Sequence, residues 1–426
     1  MGTTTATHRV NELIVALPHL SLVLDRLGTL GRTPVREPQR SPALGLALVE
    51  LGEPAGPRDG PAAAADGADS PLDALLADLR AYFRREYHGW TPVLGKNREV
   101  EMVGSTNVIS GGGRGLPGTP TQAEVLTGGW SGRALPADAD VLPEVEGSPG
   151  GRRTLHDGLA RLDGDRGRGA TVAVCDTRLW GDGALAGAYL APPAALLPPP
   201  GPDGVAFTAG HALFVTGIVL RSAPGAAVVV HPTLDDHARG TTWQFANDLV
   251  ALAGRGVDVI NVSAGFFTGD DQPALAVTTA LRLLGPRTVV VAAAGNHGEN
   301  EQDGRRPMWP AAYDEVVAVG ALTPQGMPAT FSPDAPWVDL LAPGVNVVSN
   351  YFGDAVSVVD PDTPGTTGRY PGLAAWSGTS FAAAWVSGLV AARIRPGETD
   401  APAALHRLLQ DTAAGTTATM IPKWSA

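Results

Sequence analysis

Trp376-Ser377-Gly378-Thr379-Ser380-Phe381-Ala382-Ala383-Ala384 is the stretch on which the reading of this 426-residue chain turns. A short Gly-containing loop gives way to an apolar run, and the sequence predicts a helix over 380–392 with Ser380 opening it. A hydroxyl at a helix N-terminus sits in a positive partial field that favours negative charge developing beside it. Taken alone, a serine at a helix start is an ordinary N-cap.

The segments upstream supply a frame for that serine. Strand-like apolar runs are read at 171–175, 226–230, 257–262, 288–293 and 315–319, with helical stretches at 211–221, 242–253 and 273–284. Apolar, β-branched strands separated by helices predict an α/β architecture, a mostly parallel central sheet with helices on both faces. In such sheets functional groups collect beyond the carboxyl ends of the strands. Asp176 directly follows the run Val172-Ala173-Val174-Cys175, and His211 opens the helix that begins Ala209-Gly210-His211-Ala212.

These three residue types belong together chemically. A serine hydroxyl is a poor nucleophile until an imidazole removes its proton during attack. A buried carboxylate fixes the imidazole tautomer and stabilises the imidazolium that forms. Each residue also has a plain structural reading: Asp as a turn residue, His as a packed side chain, Ser as a cap.

The surrounding words decide between these readings. Gly378-Thr379-Ser380-Phe381-Ala382-Ala383 resembles the serine motif of the subtilisin-like (subtilase) family. Gly210-His211-Ala212-Leu213-Phe214-Val215-Thr216-Gly217 resembles its histidine motif, and Val172-Ala173-Val174-Cys175-Asp176-Thr177 its aspartate motif. Val289-Val290-Val291-Ala292-Ala293-Ala294-Gly295-Asn296 is similar to the family's oxyanion segment, with Asn296 as side-chain donor. Ile260-Asn261-Val262-Ser263-Ala264-Gly265 resembles the strand that pairs with substrate, and Trp309-Pro310-Ala311-Ala312-Tyr313 and Leu341-Ala342-Pro343-Gly344 resemble later landmarks. The likeness runs from about residue 165 to 395.

The resemblance implies a subtilisin-like serine endopeptidase acting on polypeptides through an acyl-enzyme. Asp176, His211 and Ser380 would form the triad, and Asn296 would complete the oxyanion hole. Substrate would lie along Ser263, Ala264 and Gly265. Ala292, Ala293, Ala294 and Gly265 would line the pocket for the residue before the cut, read here as roomy and apolar, with Gly295 beside it; the other reading of the alanines is that they pack the strand against a helix. An inactive, subtilisin-shaped binding protein is the rival reading. The chain departs from the pattern at Arg178 and Ala212, where the family usually has glycine, and at Ala384 and Trp385, where it usually has proline and histidine. None of these removes a proton-transfer group.

Composition bounds the rest. A duplex-binding protein needs clustered Lys and Arg to neutralise phosphates, and with a net charge of -12 nucleic acid is not an expected partner. The single cysteine, Cys175, excludes an intramolecular disulfide. No apolar run is long enough for a membrane span, and no signal peptide is read at the N-terminus, so cytoplasmic residence is expected. Glu299, Glu301 and Asp303 alternate as calcium ligands would, an ion common in the family; a solvated acidic loop is the preferred reading, with no cofactor or catalytic metal required. His297 is read as an exposed loop histidine.

Two regions are expected: a loop-rich α+β extension over 1–150, serving as a prodomain or a substrate-recruiting module, and the peptidase domain over 151–426. Strands are read at 12–17 and 44–51, a linker at 54–69, and a helix at 72–87 with Ser70 capping it and Pro71 in its first turn. Gly111-Gly112-Gly113-Arg114-Gly115 lacks the Lys-Ser/Thr of a phosphate loop and is read as linker.

Overall fold

A computed structural model describes residues 7–52, 63–65, 71–103, 116–120, 164–181, 185, 187–300, 302–361, 363, 365–413 and 421–422. The chain forms two compact units: Met1–Val100 with Gly240–Arg255 and Phe266–Gly285, and Glu101–Arg239 with Gly256–Gly265 and Pro286–Ala426.

In the first unit the strand Thr7–Ala16 pairs antiparallel with Leu46–Glu50 on one side and with Leu94–Met102 on the other. Alternation puts Leu13 and Val15 opposite Val49 and Ala47, so four apolar side chains share one face. The helices Leu20–Thr29 and Pro71–Glu86 bring Leu20, Val23, Leu27, Leu72, Leu76, Leu79 and Phe83 into the same core. The second helix begins at Pro71, whose fixed φ and missing N–H suit a first helical position. The polar run Leu94-Gly95-Lys96-Asn97-Arg98-Glu99 forms a strand although it lacks apolar alternation. Three of its polar groups find partners instead: Lys96 Nζ meets Asp73 at 2.7 Å, Asn97 Nδ2 donates to Glu12 at 2.5 Å, and the Arg98 N–H donates to Thr242 Oγ1 at 2.9 Å.

The second unit carries an eight-stranded sheet. From one edge to the other its strands are Ile421–Pro422, Leu340–Pro343, Val316–Leu322, Val289–Ala293, Val259–Val262, Thr171–Asp176, Ala227–Pro232 and Tyr189–Leu190. All neighbours are parallel except the Ile421–Pro422 edge, which is antiparallel. The central strands are buried along their whole length, as strands covered on both faces must be. The strand Thr171–Asp176 has Ala227–Pro232 on one side and Val259–Val262, the later strand, on the other. That reversal of order opens a crevice beyond its carboxyl end.

The helix Thr379–Ala391 packs against five strands of the sheet and against His211–Ser222. Every residue in it except Leu389 is buried, so its sequence is apolar on all sides rather than striped. Ala384 and Trp385 are part of that packing, and Ala212 is fully buried in the helix it shares with His211. Of the earlier expectations, the helix at 242–253 matches Thr242–Ala253, and most of the other elements shift by one or two residues at their ends. The Gly111–Gly115 tract, Ser70 and the boundary at 150 lie outside the described residues, as does most of the 54–69 tract. Within that tract Ala63–Ala65 forms a short strand paired with Thr7–Arg9.

Candidate active site

The carboxyl end of the strand Thr171–Asp176 delivers the first group. Asp176 is fully buried, and its Oδ1 accepts the N–H of Thr177 at 2.7 Å while its main-chain carbonyl accepts those of Thr233 and Leu234. His211 opens the helix His211–Ser222, and its Nδ1 lies 2.9 and 2.8 Å from the two carboxylate oxygens of Asp176. A carboxylate only accepts, so Nδ1 carries the proton in this pair and Nε2 is left with a lone pair. His211 Nε2 is buried and has no hydrogen-bond partner among the described residues.

The imidazole is fixed by aromatic packing as well. Trp376 meets it edge-on at 5.5 Å and Phe381 lies tilted at 5.5 Å, with Phe214 against both of those rings. Tyr351 closes the cluster and donates its hydroxyl to Phe207 O at 2.7 Å. Burial raises the Tyr351 phenol well above its ordinary range, so it remains a neutral donor. Water is thereby kept from the ring faces, and a charge forming on His211 would interact strongly with Asp176.

Ser380 is fully buried in the first turn of its helix. Its hydroxyl donates to the main-chain carbonyl of Val103 in a short contact. Val103 follows Met102 in a segment held as an added strand. Met102 is paired with Ala264 and Glu101 with Gly265 in antiparallel register, the Val103 N–H donates to Ser263 O at 2.8 Å, and the Met102 N–H donates to Ala238 O at 3.0 Å. Residues 101–103 of the chain itself therefore lie along Ser263, Ala264 and Gly265 as along a rail.

Asn296 follows the strand Val289–Ala293. Its Oδ1 accepts the Thr379 N–H at 3.0 Å and the Thr379 hydroxyl at 3.1 Å, which leaves the amide Nδ2 as the free donor. Thr379 Oγ1 also accepts the Gly295 N–H at 3.0 Å. One threonine thus ties the end of the Asn296 strand to the residue preceding Ser380. Thr379→Val is expected to leave the buried Gly295 N–H unpaired and cost about 1–3 kcal/mol, read as a lower urea midpoint. An unchanged midpoint would mean that tie is not structural.

A second buried link runs from Asn261, whose Nδ2 donates to Ser263 Oγ at 3.0 Å and whose Oδ1 accepts Ser387 Oγ at 2.9 Å. It anchors the rail to the Ser380 helix. Ser387, Ala238 and Val103 escape a reading by motif, and Thr379 is read only as part of the serine motif, because each acts through a contact between segments far apart in sequence. Arg178, standing where the family has glycine, makes a forked pair with Asp236, with Nε 2.7 Å from Oδ1. Both side chains are a third exposed, so the pair adds little stability.

Two expectations change. Ala293 and Ala294 point their methyl groups into hydrophobic core clusters, so they pack the sheet instead of opening a pocket. His297 is buried at 8% exposure, not exposed: it stacks on Trp337 and meets Arg306 O through Nε2 at 3.0 Å, and the missing side chain of Gly295 makes room for it. Burial pushes its pKa down. Of the acidic loop, Glu301 lies outside the described residues, while Glu299 accepts the Thr330 hydroxyl and Asp303 accepts Asn300 Nδ2 at 3.4 Å. No group of three or more His, Cys, Asp or Glu side chains suited to a metal is found among the described residues. No helix among them is long and apolar enough to cross a membrane.

This fold and this arrangement of side chains define a class, and the comparisons agree: the model of the Subtilase family (Peptidase_S8) matches residues 167–422, more than half of the chain. The chain belongs to the subtilase family. It is 35% identical over 176 residues to a thermophilic serine proteinase of Bacillus sp. (strain AK1), covering 41% of this chain and 37% of that one. It is 31% identical over 195 residues to subtilisin E of Bacillus subtilis (strain 168), covering 46% of each. The match thus spans less than half the length of these relatives. The crystal structure of fervidolysin from Fervidobacterium pennivorans, described as a keratinolytic enzyme related to subtilisin, shares the fold. It aligns with TM-score 0.56 at 17% identity, over 92% of this chain and 55% of its own.

Proposed function

We propose that this chain is a serine endopeptidase that hydrolyses peptide bonds through an acyl-enzyme on Ser380. The observation carrying this reading is the Val103 carbonyl at the Ser380 hydroxyl while residues 101–103 lie in register along Ser263–Gly265. Main-chain pairing of this kind binds an extended peptide whatever its side chains are, which is what a peptidase site requires.

Ser380 Oγ attacks the carbonyl carbon, and His211 Nε2, the lone-pair nitrogen, takes the hydroxyl proton. Asp176 holds Nδ1–H and balances the imidazolium. The carbonyl oxygen becomes an oxyanion beside the Ser380 N–H and Asn296 Nδ2, the amide left free by the two bonds from Thr379. Collapse breaks the C–N bond, His211 returns the proton to the leaving amine, and water attacks the ester by the same route in reverse. Asn296→Leu is expected to lower kcat by about 10²–10³-fold with little change in KM. Equal losses in kcat and substrate binding would assign Asn296 to the binding rail instead.

The N-terminal residues through Val103 serve in this reading as an inhibitory prodomain, and the bond after Val103 is the chain's own first substrate. Wild-type protein is expected to yield a new N-terminus at Gly104, which N-terminal sequencing after incubation reads directly. Full activity on added peptide by a chain that stays uncut would favour a recruiting module.

A further inference from the structure

We propose that Met308 sets the size of the side chain accepted just before the cut, making this a site for small and β-branched residues; the proposal rests on the peptidase reading. In an antiparallel pair, residues directly opposite share a face, and so do those two positions along. Glu101 is opposite Gly265, and the Val103 N–H bonds to Ser263 O, so Val103 looks onto the same face as Gly265's absent side chain.

That face is already furnished. A methyl group on Gly265 would lie 2.8 Å from both Cγ and Sδ of Met308, and one on Gly295 would lie 2.9 Å from the same sulfur. Gly265 and Gly295 leave room between two strand ends; the Met308 thioether fills it at Gly265, and at Gly295 it shares the space with the His297 ring. Gly295 holds φ +106°, a conformation that resists any side chain, so the opening is built into the backbone and its closure belongs to Met308. Val103 is only 3% exposed and belongs to the packed cluster that Met308 borders, so a valine is accommodated on this face without reaching solvent. This replaces the roomy pocket inferred from the run of alanines. A methionine side chain is flexible and can be displaced, so the discrimination is graded and not absolute.

The test uses the full chain with Glu-Met-Xaa nitroanilides, Xaa being Val, Ala, Leu or Phe, on wild type and Met308→Ala. Residues 101–103 compete equally with every peptide, so ratios within one preparation are unaffected. The expected kcat/KM for Val exceeds that for Phe by about tenfold or more in wild type, the discrimination pocket size supplies. Met308→Ala is expected to raise Phe by about tenfold or more while Val changes little. Phe preferred by wild type, or a Val:Phe ratio untouched by the substitution, overturns the proposal. Peptide aldehydes of the same series, competing with fluorophosphonate labelling of Ser380, read the pocket without turnover. Protection by Val over Phe with no hydrolysis of any peptide would count against the peptidase reading alone. Better protection by Phe, or none by either, would count against Met308.

Discussion

Ser380→Ala is expected to lower peptide hydrolysis by about 10⁶-fold, a magnitude carried over from subtilisin, and to leave the chain uncut after Val103. The size of the loss follows from the arrangement. With the hydroxyl gone, His211 Nε2 has no nucleophile to deprotonate, and the covalent step has no substitute among the packed groups around it. What survives is binding and the oxyanion donors, worth about 10³–10⁴ over the uncatalysed reaction. The fold should tolerate the change. Ser380 lies in a buried, apolar helix, and its hydroxyl bonds outward to Val103 O, not to the helix itself. Its circular dichroism and urea midpoint should therefore stay near those of wild type. A parallel loss of folding would make the activity result uninformative about chemistry, and the uncut chain would have to be compared at matched folded fraction.

Asp176→Asn is the second large effect, with kcat expected to fall by about 10⁴-fold at neutral pH. The carboxylate holds His211 Nδ1 through both oxygens, at 2.9 and 2.8 Å. An asparagine amide brings a donor to that position, which turns the ring to the tautomer with the proton on Nε2. That nitrogen then cannot accept from Ser380. Asp176 also accepts the Thr177 N–H, which asparagine Oδ1 still can, so the loop after the strand should keep its shape. The measurement is kcat on a peptide nitroanilide. A fall of less than tenfold would mean that Asp176 positions the loop and does not set the tautomer.

Much of the catalytic unit is legible in the sequence because its elements are strongly apolar and bounded by short loops. Val289–Ala293 and Val259–Val262 read as buried strands from composition alone. Asp176, His211, Asn296 and Ser380 each stand just after a strand or at a helix start, and each sits in a word specific enough to be matched. The rest depends on contacts that no local pattern encodes. The strand Leu94–Met102 is mostly polar, and it is a strand because Glu12, Asp73 and Thr242 supply its partners. Val103 carries no motif at all, yet its carbonyl lies beside Ser380. His297 reads as a loop residue beside Asn296, and only the stack on Trp337 shows that it is buried.

Met308 is the sharpest case. Small residues at 292–294 suggest space, but the methyls of Ala293 and Ala294 face the core, and the volume left by Gly265 is taken by a side chain from a different loop. A pocket is a property of what is absent from one segment and supplied by another.

The measurement that bears most directly on the central claim is hydrolysis of a peptide containing Glu-Met-Val-Gly by the wild-type and Ser380→Ala chains under identical conditions. The account predicts cleavage after the valine by wild type and none above background by the variant. Equal cleavage by both would contradict it.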